Sequence, residues 1–412
     1  MYFVKTGQHS GFCLLQALIY PPIPTFDHRL GCHYSSDMLV KTIGWLFTSV
    51  IIFAGVNGDT HRSKSSNAPK NIIIDSTVNF EGSKFIGDPK HVGLSIGIYN
   101  KGATTTYNFG TIIKGRHILP TANNIYEMGS ITKSFMGLLL ARAAIDKKVN
   151  LNDEVTKYLE GNYPGLSFAG KPVKIINLAN HTAGFPKNIP DLSHLTPTQV
   201  NELFKTYNKQ HFLTDLAKFQ IKTTPGSAFQ YSNAGTQVAA IIVEKIYRDS
   251  FANLLKKYIT QPNHMYHTGT IVSGANEKLY VKGYDGNGLE MPRPDLWKTL
   301  PAAGYLKSSV NDMLKYIRLN IAESTHPEVK LAHTPTFVHT DEDDADIGLF
   351  WFVKNNARGQ REVMHAGGSF GTTSFVLIAP DQKKGIICFA NDASAGTEHE
   401  LRVMAEKILS GM

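Results

Sequence analysis

Strand-like segments at both ends of one long region, with helical segments between them, constrain the fold of this chain most strongly. Short apolar or alternating runs bounded by turn residues predict two strands at the front of the region and four at its back: 93–99, 104–109, 347–353, 361–365, 373–379 and 385–390. Short helical segments, broken by Pro and Gly, occupy about 150–300 in between.

This order of elements does not fit a sheet built from alternating strands and helices. It predicts an α/β chain of the α+β type, with an antiparallel sheet made from both ends of the domain, flanked by helices, and a mainly helical region inserted at about 150–300. Further helices are expected from Ser130 to about 145, over 238–246, over 310–322 and over 397–409. A cleft between the sheet and the helical region is the expected position of a functional site.

An apolar run at 41–58 begins with a basic residue and has the length of a signal peptide. It is short for a membrane-spanning helix, and an uncleaved anchor is the alternative. We therefore expect 1–58 to be an extension with a signal peptide or anchor, with Met38 as the true start, followed by a linker at 59–83 and a domain at 84–410. This organisation predicts a periplasmic or secreted protein that contacts a membrane only through an uncleaved N-terminal segment.

The charge and the cysteine content exclude nucleic acid as a partner and thiols as a source of crosslinks. The net charge is +8, but the basic residues are spread along the chain and do not form the clusters that bind nucleic acid. Cys13 and Cys32 precede the apolar run, so that Cys388 alone belongs to the predicted domain. We therefore expect no internal disulfide, no metal site built from a pair of thiols and no nucleic-acid partner.

The first chemical motif is Ser130-x-x-Lys133, placed where a strand-like segment and Gly129 are followed by a helix. If Ser130 opens that helix, Lys133 lies one turn further on the same face, and its amine can reach the hydroxyl. A serine hydroxyl is a weak nucleophile without a neighbouring base, and free N–H groups at a helix N-terminus can face a developing oxyanion. The alternative is a helix-capping serine followed by a solvated lysine.

The second motif is Tyr231-x-Asn233, between a Pro-Gly pair and an apolar helix. A tyrosine beside Lys133 can relay the proton of Ser130 to a leaving group. The side-chain amide of Asn233 offers both a donor and an acceptor, which suits the binding of a substrate amide. The alternative is a turn in which the tyrosine packs and the asparagine caps the helix.

The third motif is His365-Ala366-Gly367, followed by Gly368, at the end of a predicted strand. Small residues allow a substrate to lie against the strand edge, and the Gly368 N–H can serve as a second oxyanion donor. His-x-Gly alone is a weak signal, because it recurs elsewhere in the chain. Only this copy falls in the strand-rich C-terminal region, where it can border Ser130.

These motifs, in this order, resemble those of the serine β-lactamase and penicillin-binding-protein superfamily. The Tyr-x-Asn form of the second motif is similar to that of the class C β-lactamase and DD-peptidase branch. The similarity extends over about 84–410 and includes the segments 126–133, 177–184, 303–309 and 348–351. The resemblance implies a β-lactamase/transpeptidase-like fold, a covalent acyl-serine intermediate and no metal or other cofactor.

The resemblance also implies roles for the motif residues. The expected catalytic residues are Ser130 as the nucleophile and Lys133 and Tyr231 as a pair that shares proton transfer, and the expected substrate-binding residues are Asn233, His365, Gly367 and Gly368. The N–H groups of Ser130 and Gly368 would form the oxyanion hole.

The chain departs from this branch at the third motif, where class C β-lactamases usually carry Lys-Thr-Gly. Histidine is only partly charged near neutral pH, and Ala366 lacks the hydroxyl that would help to bind a substrate carboxylate. We expect an acyl-serine hydrolase that acts on D-alanyl peptides or β-lactams, with a small molecule or a peptidoglycan peptide as its substrate. A carboxylesterase on the same fold, and a penicillin-binding or sensor module with little turnover, are the alternatives.

Overall fold

The computed structural model of the chain describes residues 72–293, 301–340 and 345–412. The predicted extension, the predicted signal peptide or anchor, and the first part of the predicted linker lie outside these residues. Within the described part, no helix combines the length and the apolar character needed to cross a membrane.

An antiparallel sheet forms the centre of the domain. The strands are β1 (Gly93–Asn100), β2 (Ala103–Gly110), β3 (Ile125–Glu127), β4 (Ser167–Phe168), β5 (Lys171–Pro172), β6 (Tyr284–Asp285), β7 (Lys307–Ser309), β8 (Asp346–Ile347), β9 (Phe352–Asn355), β10 (Arg361–Gly368), β11 (Thr373–Ala379), β12 (Lys384–Ala390) and β13 (Asp392–Ala393). Seven of them form one sheet in the order β2-β1-β12-β11-β10-β9-β8, with every neighbouring pair antiparallel. The pairing of β1 with β12 joins the two ends of the domain, which confirms the predicted sheet.

Helices cover both faces of this sheet. They are α1 (Ile72–Gly87), α2 (Thr132–Ile145), α3 (Ile175–Ala179), α4 (Pro197–Thr206), α5 (Lys209–Lys218), α6 (Asn233–Tyr247), α7 (Phe251–Leu255), α8 (Val310–Ile321), α9 (Pro327–His333) and α10 (Thr397–Ser410). α1 and α10 pack on one face, whereas α8 and the helical region that contains α2 and α6 pack on the other.

The alternation of side chains along β1 explains these two layers. Leu94 and Ile96 pack with α1 and α10 in one hydrophobic core. Tyr99 belongs to the second core, together with residues of α2, α6 and α8. Gly97 also faces α8, and a Cβ added to it would lie 2.6 Å from Val310 Cγ1. A larger residue at this position would push α8 away from the sheet.

The predicted linker at 59–83 is wrong from Ile72 onwards, because α1 occupies that part of the chain. Val78 and Phe85 on this helix are buried in the core beneath it. The exposed side of α1 carries polar residues that are also typical of a linker: Asn79, Ser83 and Lys84. Its apolar residues do not all lie on the buried side, since Phe80 is exposed, and the sequence therefore lacks a clear helical period.

Other element boundaries also differ from the predictions. The α-helix expected from Ser130 begins at Thr132, and Ser130 lies in a 3₁₀ turn just before it. The strand expected over 347–353 is divided into β8 and β9, because the chain turns between them and Phe350 adopts φ +58°. The Phe350 N–H donates to the carbonyl of Ala179, which ties this turn to α3.

A buried histidine links the start of β1 to α10. His91 Nδ1 lies 3.1 Å from Asp392 Oδ2, and His91 Nε2 lies 2.8 Å from Glu400 Oε2. Burial opposes protonation of the ring, but the bonds to Asp392 and Glu400 outweigh it and raise the pKa of His91. The imidazolium therefore stabilises the fold fully below the unfolded-state pKa, and this contribution is lost as pH rises through the raised folded-state pKa.

We predict that His91→Gln lowers the free energy of unfolding by about 2 kcal/mol at acidic pH, since hydrogen bonds to charged groups are lost. The deficit should shrink as pH rises, because the wild type then loses the imidazolium. Urea denaturation from about pH 6 to about pH 9 measures it. His117→Gln, at an exposed histidine, is the matched control. A deficit that stays constant across this range would contradict a charged His91.

Candidate active site

The expected nucleophile, Ser130, lies on a short turn between β3 and α2. This turn, Gly129–Ile131, is called the nucleophile turn below. Gly129 begins this 3₁₀ turn with φ +51°, in the left-handed region that favours glycine. The Thr132 hydroxyl donates to the Gly129 carbonyl at 2.7 Å, and the Ser374 hydroxyl donates to the Met128 carbonyl at 2.9 Å. Ser130 therefore lies, partly exposed, on a turn that is fixed on both sides.

Lys133 extends from the first turn of α2 into the protein, and the residue is 0% exposed. Its Nζ lies 3.0 Å from Ser130 Oγ and 2.6 Å from Asn233 Oδ1, and it also bonds to the Ala303 carbonyl. Burial lowers the pKa of this amine well below its ordinary value, and the positive charge of Lys187 lowers it further. The surroundings of Lys133 therefore favour the neutral amine.

Tyr231 and Asn233 approach Lys133 from the start of α6. This helix begins at Asn233, earlier than predicted, and the Ser232 side chain caps it. The Lys133 Nζ lies 4.8 Å from the centroid of the Tyr231 ring. Asn233 Nδ2 donates to Asn188 Oδ1 at 2.8 Å, while Asn233 Oδ1 accepts from Lys133. The amide of Asn233 is therefore held from both sides.

His365 lies on β10, on the face that packs against the helical region, as does Val363 two residues earlier. The residue is 2% exposed, and its Nδ1 lies 2.6 Å from the Ala366 carbonyl oxygen. Burial lowers the pKa of His365 to about 3. The His365 ring is therefore neutral at this position of β10.

Glycines allow the end of β10 to approach the nucleophile turn closely. A Cβ on Gly367 would lie 2.0 Å from the Met128 carbonyl oxygen, and a Cβ on Gly129 would lie 2.5 Å from the Gly368 nitrogen. The ladder between β9 and β10 ends at Met364, so no described strand pairs with the rest of β10 on that side. The Gly368 backbone therefore lies beside the turn, at an open strand edge.

Direct contacts join four of the residues expected from the sequence: Ser130, Lys133, Tyr231 and Asn233. Three further residues contact this cluster and were not among the predicted site residues: Asn188, Ala303 and His181. Ala303 contributes a backbone carbonyl, for which a sequence carries no signal. His181 falls in the similar segment 177–184, but no role was assigned to it. Its ring centroid lies 4.6 Å from that of Tyr231.

The fold that carries this cluster is of the β-lactamase type, as comparisons with known proteins show. Residues 83–408 match the sequence model of the family described as Beta-lactamase. Since the match covers more than half of the chain, the chain belongs to the beta-lactamase family, and the predicted superfamily is confirmed. Protein flp of Staphylococcus aureus (strain MRSA252) is 28% identical over 306 residues, which are 71% of this chain and 56% of that protein. The chain thus spans little more than half the length of this relative.

Solved structures share the fold. A beta-lactamase/D-alanine carboxypeptidase from Yersinia pestis, complexed with citrate, has a TM-score of 0.71 and 20% identity, with 83% of this chain and 99% of that chain covered. A class C beta-lactamase has a TM-score of 0.69 and 21% identity, with 82% of this chain and 96% of that chain covered. The predicted β-lactamase/transpeptidase-like architecture is confirmed.

We predict that Gly367→Ala lowers the free energy of unfolding by about 1–3 kcal/mol, because the new methyl group would overlap the Met128 carbonyl. Urea denaturation measures this loss. Gly87→Ala is the matched control, since a Cβ there meets nothing within 4 Å, and it should change stability by less than about 0.5 kcal/mol. Equal stability of the two variants would rule out the close approach of β10 to the turn.

Proposed function

We propose that the chain is an acyl-serine hydrolase of the β-lactamase/DD-peptidase type that forms a covalent acyl-enzyme on Ser130. The observation that carries this proposal is the set of three oxygen atoms around the buried Lys133 amine. They belong to the Ser130 hydroxyl, the Asn233 side-chain amide and the Ala303 carbonyl. Two of these oxygens can only accept hydrogen bonds, whereas the hydroxyl can also donate.

A neutral Lys133 amine suits these three neighbours. Its two N–H groups can donate to Asn233 and Ala303, which directs its lone pair to the Ser130 hydroxyl. The amine would then accept the hydroxyl proton as Ser130 Oγ attacks the carbonyl carbon of the substrate. An ammonium would instead donate to the hydroxyl and could not accept this proton. The lowered pKa of Lys133 therefore supports its role as a base.

Tyr231 would complete the proton path. Because its ring lies against the Lys133 amine, we assign the acid and base steps to the two residues as a pair. As the bond from the carbonyl carbon to the leaving nitrogen or oxygen breaks, the pair returns the proton to the leaving group. A water molecule then attacks the acyl ester and releases Ser130. The N–H groups of Ser130 and Gly368 would hold the oxyanion, since the Gly368 nitrogen lies beside the nucleophile turn.

The proposed substrates follow from the proteins that share this fold, which include a beta-lactamase/D-alanine carboxypeptidase and a class C beta-lactamase. D-alanyl peptides, such as those of peptidoglycan, and β-lactam amides are therefore the first candidates. Asn233 would bind the substrate amide beside the bond that is cleaved. Export through the segment at 41–58, which stays a prediction, would place the enzyme beside peptidoglycan.

A carboxylesterase that uses the same serine is the second candidate, and His365 favours it. A cation at this strand position would bind the free carboxylate of a D-alanyl peptide or a penicillin. The buried His365 ring is neutral instead, and Ala366 offers no hydroxyl. An ester substrate needs neither contact. A penicillin-binding module with slow turnover would share all the contacts of the site, and only turnover separates it from the enzymes.

We predict that a penicillin acylates the peptide that contains Ser130, and that Ser130→Ala removes the adduct and lowers turnover at least about 1,000-fold. Intact-mass and peptide-mass measurements detect the adduct. Turnover of nitrocefin, a D-alanyl-D-alanine peptide and a p-nitrophenyl ester, measured side by side, identifies the substrate class.

Ser193→Ala, at an exposed serine, is the matched control for this prediction. An adduct that persists in Ser130→Ala would end the proposal. A stable adduct on the wild type, without turnover of any of the three substrates, would favour the penicillin-binding module.

We also predict that His365→Lys raises kcat/KM for the D-alanyl peptide relative to the ester at least about tenfold, as expected for one new charge-assisted hydrogen bond. Steady-state kinetics of both substrates give this ratio. His365→Gln stays neutral and should keep the ratio of the wild type. An unchanged ratio in His365→Lys would show that the charge at this position does not set the preference.

A further inference from the structure

His181 holds the chain on both sides of Tyr231. Its carbonyl accepts the N–H of Gln230 at 2.7 Å, and its Nδ1 accepts the N–H of Ser232 at 3.2 Å. Tyr231 therefore lies between two residues whose backbone N–H groups bond to the same histidine. The His181 ring also contacts Tyr231 directly, with the ring centroids 4.6 Å apart.

Tyr231 belongs to the connection 219–232 between α5 and α6, which contains no described helix or strand. Its position therefore depends on bonds from other segments. Thr182 supplies another of these bonds, because its carbonyl accepts the Gly226 N–H at 2.8 Å. The turn that follows α3 therefore positions this connection and, with it, the Tyr231 phenol.

The His181 ring is itself held in place. It is 2% exposed, and the rings of Phe350 and Phe229 meet it edge-on, with centroids 5.4 Å and 5.8 Å away. Its backbone has φ +58°, in the left-handed region where His, Asn and Asp are the most frequent residues after glycine. The position requires a residue that tolerates this conformation and also supplies a hydrogen-bond acceptor.

The bond to Ser232 fixes the tautomer of His181. A ring nitrogen that accepts an N–H carries no proton, so the proton of the neutral ring lies on Nε2. Burial lowers the pKa of His181 well below its ordinary value. The ring therefore stays neutral, and Nδ1 stays an acceptor, at neutral pH.

We propose that His181 is a positioning residue, which sets the place of the Tyr231 phenol relative to Lys133 by holding the backbone at Gln230 and Ser232. The kinetic consequence rests on the proposed function, whereas the structural consequence does not. Misplacement of a catalytic group by about 1 Å can slow a reaction about 100-fold. Loss of the Nδ1 acceptor should therefore slow acylation without weakening the first binding of the substrate.

Two variants distinguish the effect of losing the hydrogen-bond acceptor from the effect of losing the ring. His181→Phe keeps a ring and removes the acceptor, whereas His181→Asn keeps an acceptor oxygen close to the chain and tolerates a positive φ. With a penicillin as the substrate, His181→Phe should lower the acylation rate constant of Ser130 about 10- to 100-fold and change the dissociation constant of the noncovalent complex less than about twofold. His181→Asn should acylate within about threefold of the wild-type rate.

Two further measurements need no activity. In His181→Phe, the Ser232 amide should exchange its hydrogen at least about tenfold faster, while the Gln230 amide, which bonds to a backbone carbonyl, keeps its protection. In the wild type, nitrogen NMR of His181 should show a bare Nδ1 and a protonated Nε2.

A His181 tautomer protonated on Nδ1, or unchanged exchange at Ser232 in His181→Phe, would overturn the proposal. Equal acylation rates of wild type and His181→Phe, or an Asn variant as slow as the Phe variant, would overturn it as well. If the wild type is never acylated, the proposed function fails, and the tautomer and exchange measurements still decide the role of His181. If His181→Phe does not fold, the wild-type tautomer and the Asn variant decide it.

Discussion

The Lys133 amine is closed off from water and depends on three oxygen atoms, one each from the nucleophile turn, from the start of α6 and from the turn before β7. A buried polar group that loses its partners costs about 1–3 kcal/mol, and more when it is charged. Every one of these elements must therefore be in place before the amine can be buried without penalty. These elements are distant along the chain. The site therefore forms only when the helical region packs on the sheet.

A second constraint fixes the nucleophile turn against the sheet. Here the backbone of the turn meets the backbone of β10, without side chains between them, at Met128 with Gly367 and at Gly129 with Gly368. Contacts of this kind leave little freedom, because backbone atoms cannot rearrange as side chains do. The oxyanion donors proposed for Ser130 and Gly368 would consequently keep their spacing without any ligand, which is the preorganisation that electrostatic stabilisation requires.

The sheet and the motif residues could be predicted because their signals are local. These signals are short apolar or alternating runs of residues bounded by turns, glycines beside a strand end, and a lysine one helical turn after a serine. The remainder depends on contacts that a residue type does not reveal. Ala303 contributes only its carbonyl, and His181 acts through its carbonyl, one ring nitrogen and a left-handed backbone conformation. α1 was not predicted because its apolar residues do not recur at the spacing of one helix face. The charge of His365 was expected to be partial, and only burial, which a sequence does not show, makes the ring neutral.

The third motif carries His365 in place of the lysine of Lys-Thr-Gly. A lysine at this strand position could have two effects, on substrate binding and on the pKa of Lys133. A positive charge on β10 would bind a substrate carboxylate and would also help to keep the neighbouring amine neutral by repulsion. In this chain burial lowers the pKa of Lys133, with added repulsion from Lys187, so its proposed role as a base does not require a charged residue on the strand. Under the proposed function, acylation of Ser130 therefore needs no charge on the strand, whereas the binding of a substrate carboxylate does.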